Sequence, residues 1–426
     1  MTKSKIISAI DLGSSKVTTL IAQVAIDPVS LESSINVIGV SSVDSKGVRK
    51  GQIVDIDEAV ESIIQGVEAA ERMAGYNLDQ AYIGLGGAHL MSQNSHGVVA
   101  VSNPEGEITA SDVDRVVEAA SAVSLPSSRE LVHVLPREYV VDGESGIKDP
   151  IGMSGVRLEV ETHLVTAAQA SLKNLRKAMH EVGVNVTEFV YSGLASGEAV
   201  LTKTEKELGC VLIDIGAGTT SVAAYIDGSI AYSCVIPIGA KNVTNDLAIG
   251  LRVSLESAEK IKQALSKDED GKKRLKEDKS GDEFDLQALN IPEVKKVSKK
   301  TLVEGIIRPR LNEIFTMCRI ALERDGLLTK IPSGAVLTGG GAETVGTVDC
   351  AKRTLPLPVR IGKPKGVGGL TDDIIFPSYA TAVGLLLYAA GRSQEVGTLT
   401  SFSKKFKLPG KGLFGKIIGM LRDLLP

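Results

Sequence analysis

The chain lacks any apolar run of the roughly 18 residues needed to span a bilayer, so an integral membrane protein is not expected. Its first residues are basic and then apolar, but Asp11 interrupts the stretch and no small-x-small cleavage site follows, which argues against a signal peptide. Cysteine is scarce. Cys210, Cys234, Cys318 and Cys350 lie far apart with no CxxC, which fits a reducing cytoplasm and neither a zinc site nor a disulfide scaffold. Five histidines (His89, His96, His133, His163 and His180) show no ligand spacing. A basic excess is also missing: 48 Lys and Arg face 52 Asp and Glu, a net charge of −4, which excludes a generally basic nucleic-acid binder. What remains is 426 residues, 43% hydrophobic and 23% charged, enough for a folded body of two or three domains.

The charge is unevenly placed. From Arg392 onward seven cations (Arg392, Lys404, Lys405, Lys407, Lys411, Lys416, Arg422) are opposed only by Glu395 and Asp423, so the tail is +5 and the body −9. An acidic body with a basic end implies a tail with its own partner. The stretch 267–300 is charged with mixed signs and reads as a solvated loop with a short helix.

Two segments share one grammar. Lys5 to Ala22 and Cys210 to Tyr225 each run as an apolar strand, then Asp-(Leu/Ile)-Gly, small hydroxyl residues and a β-branched strand. Each reads as a β-hairpin with a tight turn, and the second continues through the Asp227-Gly228 turn into a third strand. Their separation suggests a duplicated α/β domain. Helical periodicity is expected at 56–74, 111–122 (capped by Ser-Asp), 171–182, 301–322 (kinked or started near Pro309) and 377–390. Between Gly86 and His163 the pattern changes: His96–Val101 and Glu138–Val141 read as strands flanking a helix, the mark of an inserted subdomain.

The turns carry phosphate chemistry. Backbone N–H groups brought close by glycine, hydroxyls and one lysine make a phosphate cradle. Gly13-Ser14-Ser15-Lys16 supplies one, and Gly216-Ala217-Gly218-Thr219-Thr220 the other. Asp11 and Asp214 end the matching strands, where a carboxylate pair suits Mg²⁺ held largely through water. A third turn, Thr338-Gly339-Gly340-Gly341-Ala342, follows an apolar strand and would let a base and ribose approach the backbone. Glu259 and Lys262, at i and i+3 on a helix, either contact a ribose and the rim of adenine or form a surface ion pair. Two further patterns are false signals. Gly410 to Lys416 has P-loop spacing but Ile417 where Ser or Thr is required, and Gly216, Gly218 and Ser221 lack the third glycine of a dinucleotide fingerprint.

The order of phosphate loop one, phosphate loop two and adenosine loop resembles the actin/heat-shock-70/sugar-kinase ATPase superfamily over residues 5–390. Finer marks resemble the bacterial FtsA family of cell-division proteins. These are His133-Val134-Leu135-Pro136-Arg137-Glu138-Tyr139-Val140-Val141-Asp142-Gly143, Asp149-Pro150-Ile151-Gly152-Met153-Ser154-Gly155, Leu158-Glu159, His163, Thr244-Asn245-Asp246-Leu247-Ala248 and the Ala258-Glu259-x-x-Lys262 helix. The resemblance implies an α/β, actin-like duplicated ATPase fold with an FtsA-type insert and a C-terminal amphipathic helix. Its divisions are subdomain 1A at 1–84, 163–208 and 376–392, insert 1C at 85–162, subdomain 2A at 209–245 and 308–375, and subdomain 2B at 246–307. A flexible linker at 393–411 and a membrane-targeting helix at 412–426 complete the chain. It implies ATP and Mg²⁺ as ligands, with Glu198 positioning water for at most slow hydrolysis. It places Gly239 beside the ribose, where Ala240 departs from the family's second glycine.

Residues 393–411, rich in Ser, Thr, Gly and Lys, read as a linker reaching about 25 Å. In the following 412–425 the eight apolar side chains fall within an arc of about 160° on a helical wheel. Such a helix is too short to span and fits an interfacial anchor with cations near anionic headgroups. By resemblance the protein self-assembles into protofilaments. It tethers polymers of the tubulin-like FtsZ to the cytoplasmic face of the membrane at the division site, docks the FtsZ tail on 246–307 and recruits other division proteins. The alternatives are a PilM-like pilus assembly protein, which leaves the tail unexplained, and a small-molecule kinase, whose sugar-site signature is missing. A heat-shock-70 chaperone is not expected, because only about 35 residues follow the ATPase body in this sequence.

Overall fold

The computed structural model describes residues 4–26, 33–103, 105–270, 282–286, 289–291 and 296–405. The amphipathic segment 412–426 and part of the charged 267–300 stretch lie outside the described residues.

The first half is built on β1 (Ser4–Leu12), β2 (Lys16–Ile26) and β3 (Ser33–Asp44), an antiparallel meander. Helix α1 (Ile56–Ala74) then returns the chain to β4 (Gln80–Leu85), parallel to β1. The expected helix and α1 coincide, for legible reasons. Asp55 caps its start by accepting from the Glu58 amide, Gly75 ends it in the left-handed region, and Ala59, Ile63, Val67 and Ala70 form its buried stripe.

The insert follows: β5 (Met91–Ala100), α2 (Ala110–Ser121), β6 (Arg129–Val141), β7 (Glu144–Ile147) and β8 (Arg157–Ala168). Its sheet runs β5-β8-β6-β7, with a small core of its own that includes Ile108, Val116, Ala120, Leu158 and Val160. The cap of α2 is Thr109 rather than the expected Ser-Asp pair: the Thr109 hydroxyl accepts from the Asp112 amide while the Asp112 carboxylate accepts from the Thr109 amide. Helix α3 (Gln169–Glu181) leads to β9 (Asn185–Tyr191), parallel to β4, and to the buried helix α4 (Ser192–Val200).

The second half repeats the plan. Strands β10 (Cys210–Ile215), β11 (Thr220–Ile226) and β12 (Ser229–Ile236) form the meander. Helices α5 (Ala240–Leu251), α6 (Leu255–Asp270) and α7 (Arg308–Arg324) precede β13 (Ala335–Thr338) and β14 (Val359–Ile361). The first sheet reads β9-β4-β1-β2-β3, with the two-residue strand Gly368–Gly369 added parallel to β3, and the second reads β12-β11-β10-β13-β14, so in each an antiparallel hairpin pairs through its first strand with the parallel strands. Strand β10 is buried along its whole length, which is why it reads as an unbroken apolar run. The single helix expected at 301–322 is a composite. A short α segment (Lys299–Leu302) passes through a π turn (Val303–Ile307) into α7. The turn precedes Pro309, whose missing N–H and bulky ring disrupt the ordinary ladder.

The last helix, α8 (Ala380–Lys405), follows a 3₁₀ turn (Pro377–Tyr379). It runs into the segment 393–411 expected to be linker, so that expectation is corrected over 393–405, while 406–411 lies outside the described residues. No proline stands between Pro377 and Pro409 to stop it.

The insert also touches the second half. Ser92 Oγ donates to the Ser233 carbonyl (2.5 Å) and Asn94 Nδ2 to the Ala231 carbonyl (3.2 Å), so polar side chains cover the outer edge of β12. His163 stands between the two, with Nδ1 2.7 Å from Asn94 Oδ1 and Nε2 2.8 Å from Ser233 Oγ. Burial, and secondarily Arg137, push its pKa down to about 4, so the ring is neutral.

Candidate functional site

The two hairpin turns face each other across a cleft of about 980 Å³. They are built alike. The Gly13 amide donates to the Lys16 carbonyl at 3.0 Å, and the Gly216 amide to the Thr219 carbonyl at 2.9 Å. The turns meet closely. A Cβ on Gly218 would stand 2.8 Å from Ser14 Oγ and 3.1 Å from the Lys50 amide nitrogen. Ser14 Oγ in turn accepts from the Gly51 amide at 3.0 Å. Gly51, at φ +68°, packs against the main chain of Gly86 and Gly87, where the insert begins; a Cβ there would lie 2.6 Å from Gly87 Cα.

Helix α5 supports loop two from behind. The Ala240 amide donates to the Gly216 carbonyl (2.9 Å) and the Lys241 amide to the Ala217 carbonyl (2.8 Å), so orphan helix N–H groups fix the loop. Gly239 is the residue that allows this contact, since a Cβ would meet the Gly216 and Ala217 carbonyls. It backs the loop and does not line the cleft, which corrects its assignment to the ribose.

Asp11 and Asp214 line the cleft from the matching strand ends. Desolvation, joined by the Asp214 charge, raises the Asp11 pKa to about 6, against the pull of Lys16. Desolvation raises Asp214 too, opposed by hydrogen bonds from Ser196 and Thr381. The Thr381 bond is 3.0 Å. Two carboxylates lining one cleft against the cost of burial are a donor set that suits a divalent cation. Among the described residues no cluster of three His, Cys, Asp or Glu adds a further ligand.

Lys16 enters the cleft with its pKa lowered by burial, while Asp11 and Glu343 favour its charge. The Glu259–Lys262 pair is closed at 2.7 Å, and both residues line the cleft. Thr244 completes it, donating to Glu259 Oε2 at 2.6 Å and accepting from Lys262 Nζ at 2.9 Å. Gly339, Gly340 and Gly341 line the cleft. Gly339 adopts φ +80°, and a Cβ there would strike Asp214 Oδ1, so only glycine fits.

Ser15, Ala217 and Thr219 also lie where expected. Three other expectations are corrected. Glu198 is outside the cleft: Ser192 at the head of α4 lines it, but six residues on, about 9 Å along the helix, the Glu198 carboxylate pairs with Lys206 at 2.8 Å. Thr220 turns its hydroxyl to the Ile238 carbonyl (2.8 Å). Ala342 is buried in the second-half core. Sequence reasoning missed Gln263, Ser266, Glu343, Ser378 and Thr381 in the lining. Ser266 and Gln263 continue the face of Glu259 and Lys262, which was the available signal; Ser378 and Thr381 had none stronger than their place before an apolar helix.

Two family models match the chain: "SHS2 domain inserted in FTSA" over residues 87–166, close to the insert expected at 85–162, and "Cell division protein FtsA" over residues 211–384. Among solved structures it is similar to the PilM–PilN type IV pilus biogenesis complex (TM-score 0.62, 17% identity, 90% of this chain and 98% of that one). It is also similar to MreB5 of Spiroplasma citri bound to ADP (TM-score 0.52, 13% identity, 92% and 98%). At those identities the likeness is one of fold. Paired sheets, facing turns and an inserted SHS2 domain define the class as an actin-like ATPase fold. Cell division protein FtsA of Pseudomonas aeruginosa is 38% identical over 395 residues, covering 92% of this chain and 91% of the relative. The chain belongs to the FtsA family of cell-division proteins.

Proposed function

We propose that this division protein binds ATP with Mg²⁺ between its halves, assembles with copies of itself, and tethers FtsZ polymers to the cytoplasmic face of the membrane at the division site. The observation that carries the nucleotide reading is the matched pair of turns, each with an Asp at its strand end, facing one cleft. The amides of 13–16 and 216–219 are the phosphate donors, and Lys16 is the mobile cation among them. Asp11 and Asp214 would hold the metal, which would supply charge neutralisation for the phosphates. Thr244, Glu259 and Lys262 face the ribose, and 339–341 the base. The presence of ADP in the similarly folded MreB5 supports the assignment. With Glu198 outside the cleft, no expected side chain positions water, which favours slow turnover or none.

Membrane tethering rests on the sequence of 412–425, with its single apolar arc and basic flank. The FtsZ tail is assigned to 246–307. A PilM-like role has only the fold in its favour. Liposome co-sedimentation tests the proposal, comparing the full chain with one ending at Arg392, on anionic vesicles, with and without ATP-Mg²⁺. ATP-enhanced binding that disappears on truncation is expected. Equal binding by both chains removes the tethering role.

A further inference from the structure

Lys16 Nζ lies 3.6 Å from the centroid of the Tyr379 ring. Its ammonium makes no hydrogen bond or ion pair among the described residues, although Asp11 and Glu343 are near enough to favour its charge. A lysine in a cleft, held by an aromatic face alone, keeps its three N–H donors uncommitted. The ring gives it a place to rest without directed bonds that would have to be broken one by one.

Tyr379 is itself firmly held. It ends the 3₁₀ turn whose Pro377 carbonyl accepts from the Gly339 amide (3.1 Å) and the Thr338 hydroxyl (3.3 Å). The Tyr379 amide donates to the Phe376 carbonyl (2.9 Å), and α8 begins at the next residue. Ser378 and Thr381, on either side, line the cleft. The ring is thus a fixed seat on a turn tied to the second half, and the lysine above it belongs to the first.

We propose that Tyr379 is a positioning residue that seats the Lys16 ammonium when no nucleotide is bound and yields it to the phosphates of a bound nucleotide. The proposal rests on the nucleotide reading above and adds that the seat competes with the ligand. Removing the aromatic face therefore tightens the binding of polyphosphates, which Lys16 reaches, and leaves nucleoside monophosphate binding alone.

The test is calorimetric titration of the full chain with AMP-PNP and with AMP, both with Mg²⁺. Tyr379→Leu is expected to bind AMP-PNP about three- to tenfold more tightly, with AMP unchanged. Tyr379→Phe, which keeps the face, should behave as the parent. Adding Lys16→Met to Tyr379→Leu should abolish the gain. Trifluorophenylalanine in place of Tyr379 drains the ring's negative face at similar shape; it should reproduce the leucine result even if the leucine variant folds poorly. Unchanged or weaker AMP-PNP binding in the fluorinated chain overturns the proposal, as does an equal shift for AMP. Failure of the parent to bind AMP-PNP overturns the nucleotide reading itself; a parent that binds, with variants that do not differ from it, overturns only the seat.

Discussion

The Thr381 hydroxyl donates to Asp214 Oδ2 across 3.0 Å, joining the first turn of α8 to the strand end of the second phosphate loop. A hydrogen bond to a charged carboxylate contributes about 1.5–3 kcal/mol, and this one opposes the rise that burial imposes on the Asp214 pKa. Thr381→Val should lift the Asp214 pKa further and weaken ATP-Mg²⁺ binding by about tenfold. Titration calorimetry at pH 7 checks it; an unchanged affinity would mean that Asp214 does not meet the metal.

Asp11 gives a pH signature. Its pKa in the folded protein, about 6, lies above the unfolded value. The native state therefore holds the proton more tightly, and the stability from this group is lost as pH rises through 6. Asp11→Asn should stabilise the nucleotide-free protein at pH 8 by roughly 2–3 kcal/mol, and very little at pH 4. The same substitution should remove the Mg²⁺ dependence of nucleotide binding, which in the parent declines as pH falls through 6. Thermal melts with and without Mg²⁺ read both effects.

The buried histidines predict acid lability. His89, His133 and His163 all sit near pKa 4, chiefly through burial. Because these values lie below the unfolded one, the unfolded chain binds more protons, and stability falls as pH drops from about 6.5 toward 4. The Tyr191 amide donates to His133 Nε2 at 3.0 Å, a bond that protonation breaks. Replacing His163 with Gln, which can bond both Asn94 and Ser233, should flatten part of that slope in melts recorded between pH 4 and 7.

Gly218→Ala is expected to push loop two away from Ser14 and the Lys50–Gly51 turn. A destabilisation of about 1–3 kcal/mol is expected from the overpacking, together with weaker AMP-PNP binding. Retention of parental affinity would show that the loops separate freely.

Glu198→Gln tests the corrected assignment. The Glu198–Lys206 pair is partly exposed, and its loss should cost no more than about 1 kcal/mol. Any ATP hydrolysis should proceed at the parental rate in a phosphate-release assay. A hundredfold loss would return Glu198 to the chemistry.

Much of this arrangement was legible in the sequence because it rests on local signals. Asp-x-Gly followed by small residues dictated both hairpins, and the spacing of Ala59, Ile63, Val67 and Ala70 dictated α1. What could not be read depends on long-range packing. Glu198 and Ser192 belong to one helix, and only the placement of α4 against the sheets decides which end meets the cleft. Thr220 reads as a phosphate ligand by composition and Gly239 as a ribose contact by resemblance, yet each spends its polar or close contact on the neighbouring main chain. The extension of α8 past Ala390 followed from the lack of a stop signal, which a composition rich in Ser, Thr and Gly obscured.

The packing of Gly218 on Ser14 and Lys50, and of the adjoining Gly51 on Gly86 and Gly87, has a mechanical consequence. Where long side chains meet, a rotamer change absorbs small displacements; here the Gly218 main chain lies against the Lys50 amide and the short Ser14 side chain, and Gly51 lies against Gly86 and Gly87, so little that is compliant stands between them. A fraction of an ångström of spreading between the phosphate loops therefore reaches the first residues of the inserted domain nearly undiminished. The stiffness of that joint, the Ser14 hydroxyl included, sets how faithfully the cleft and the insert move together.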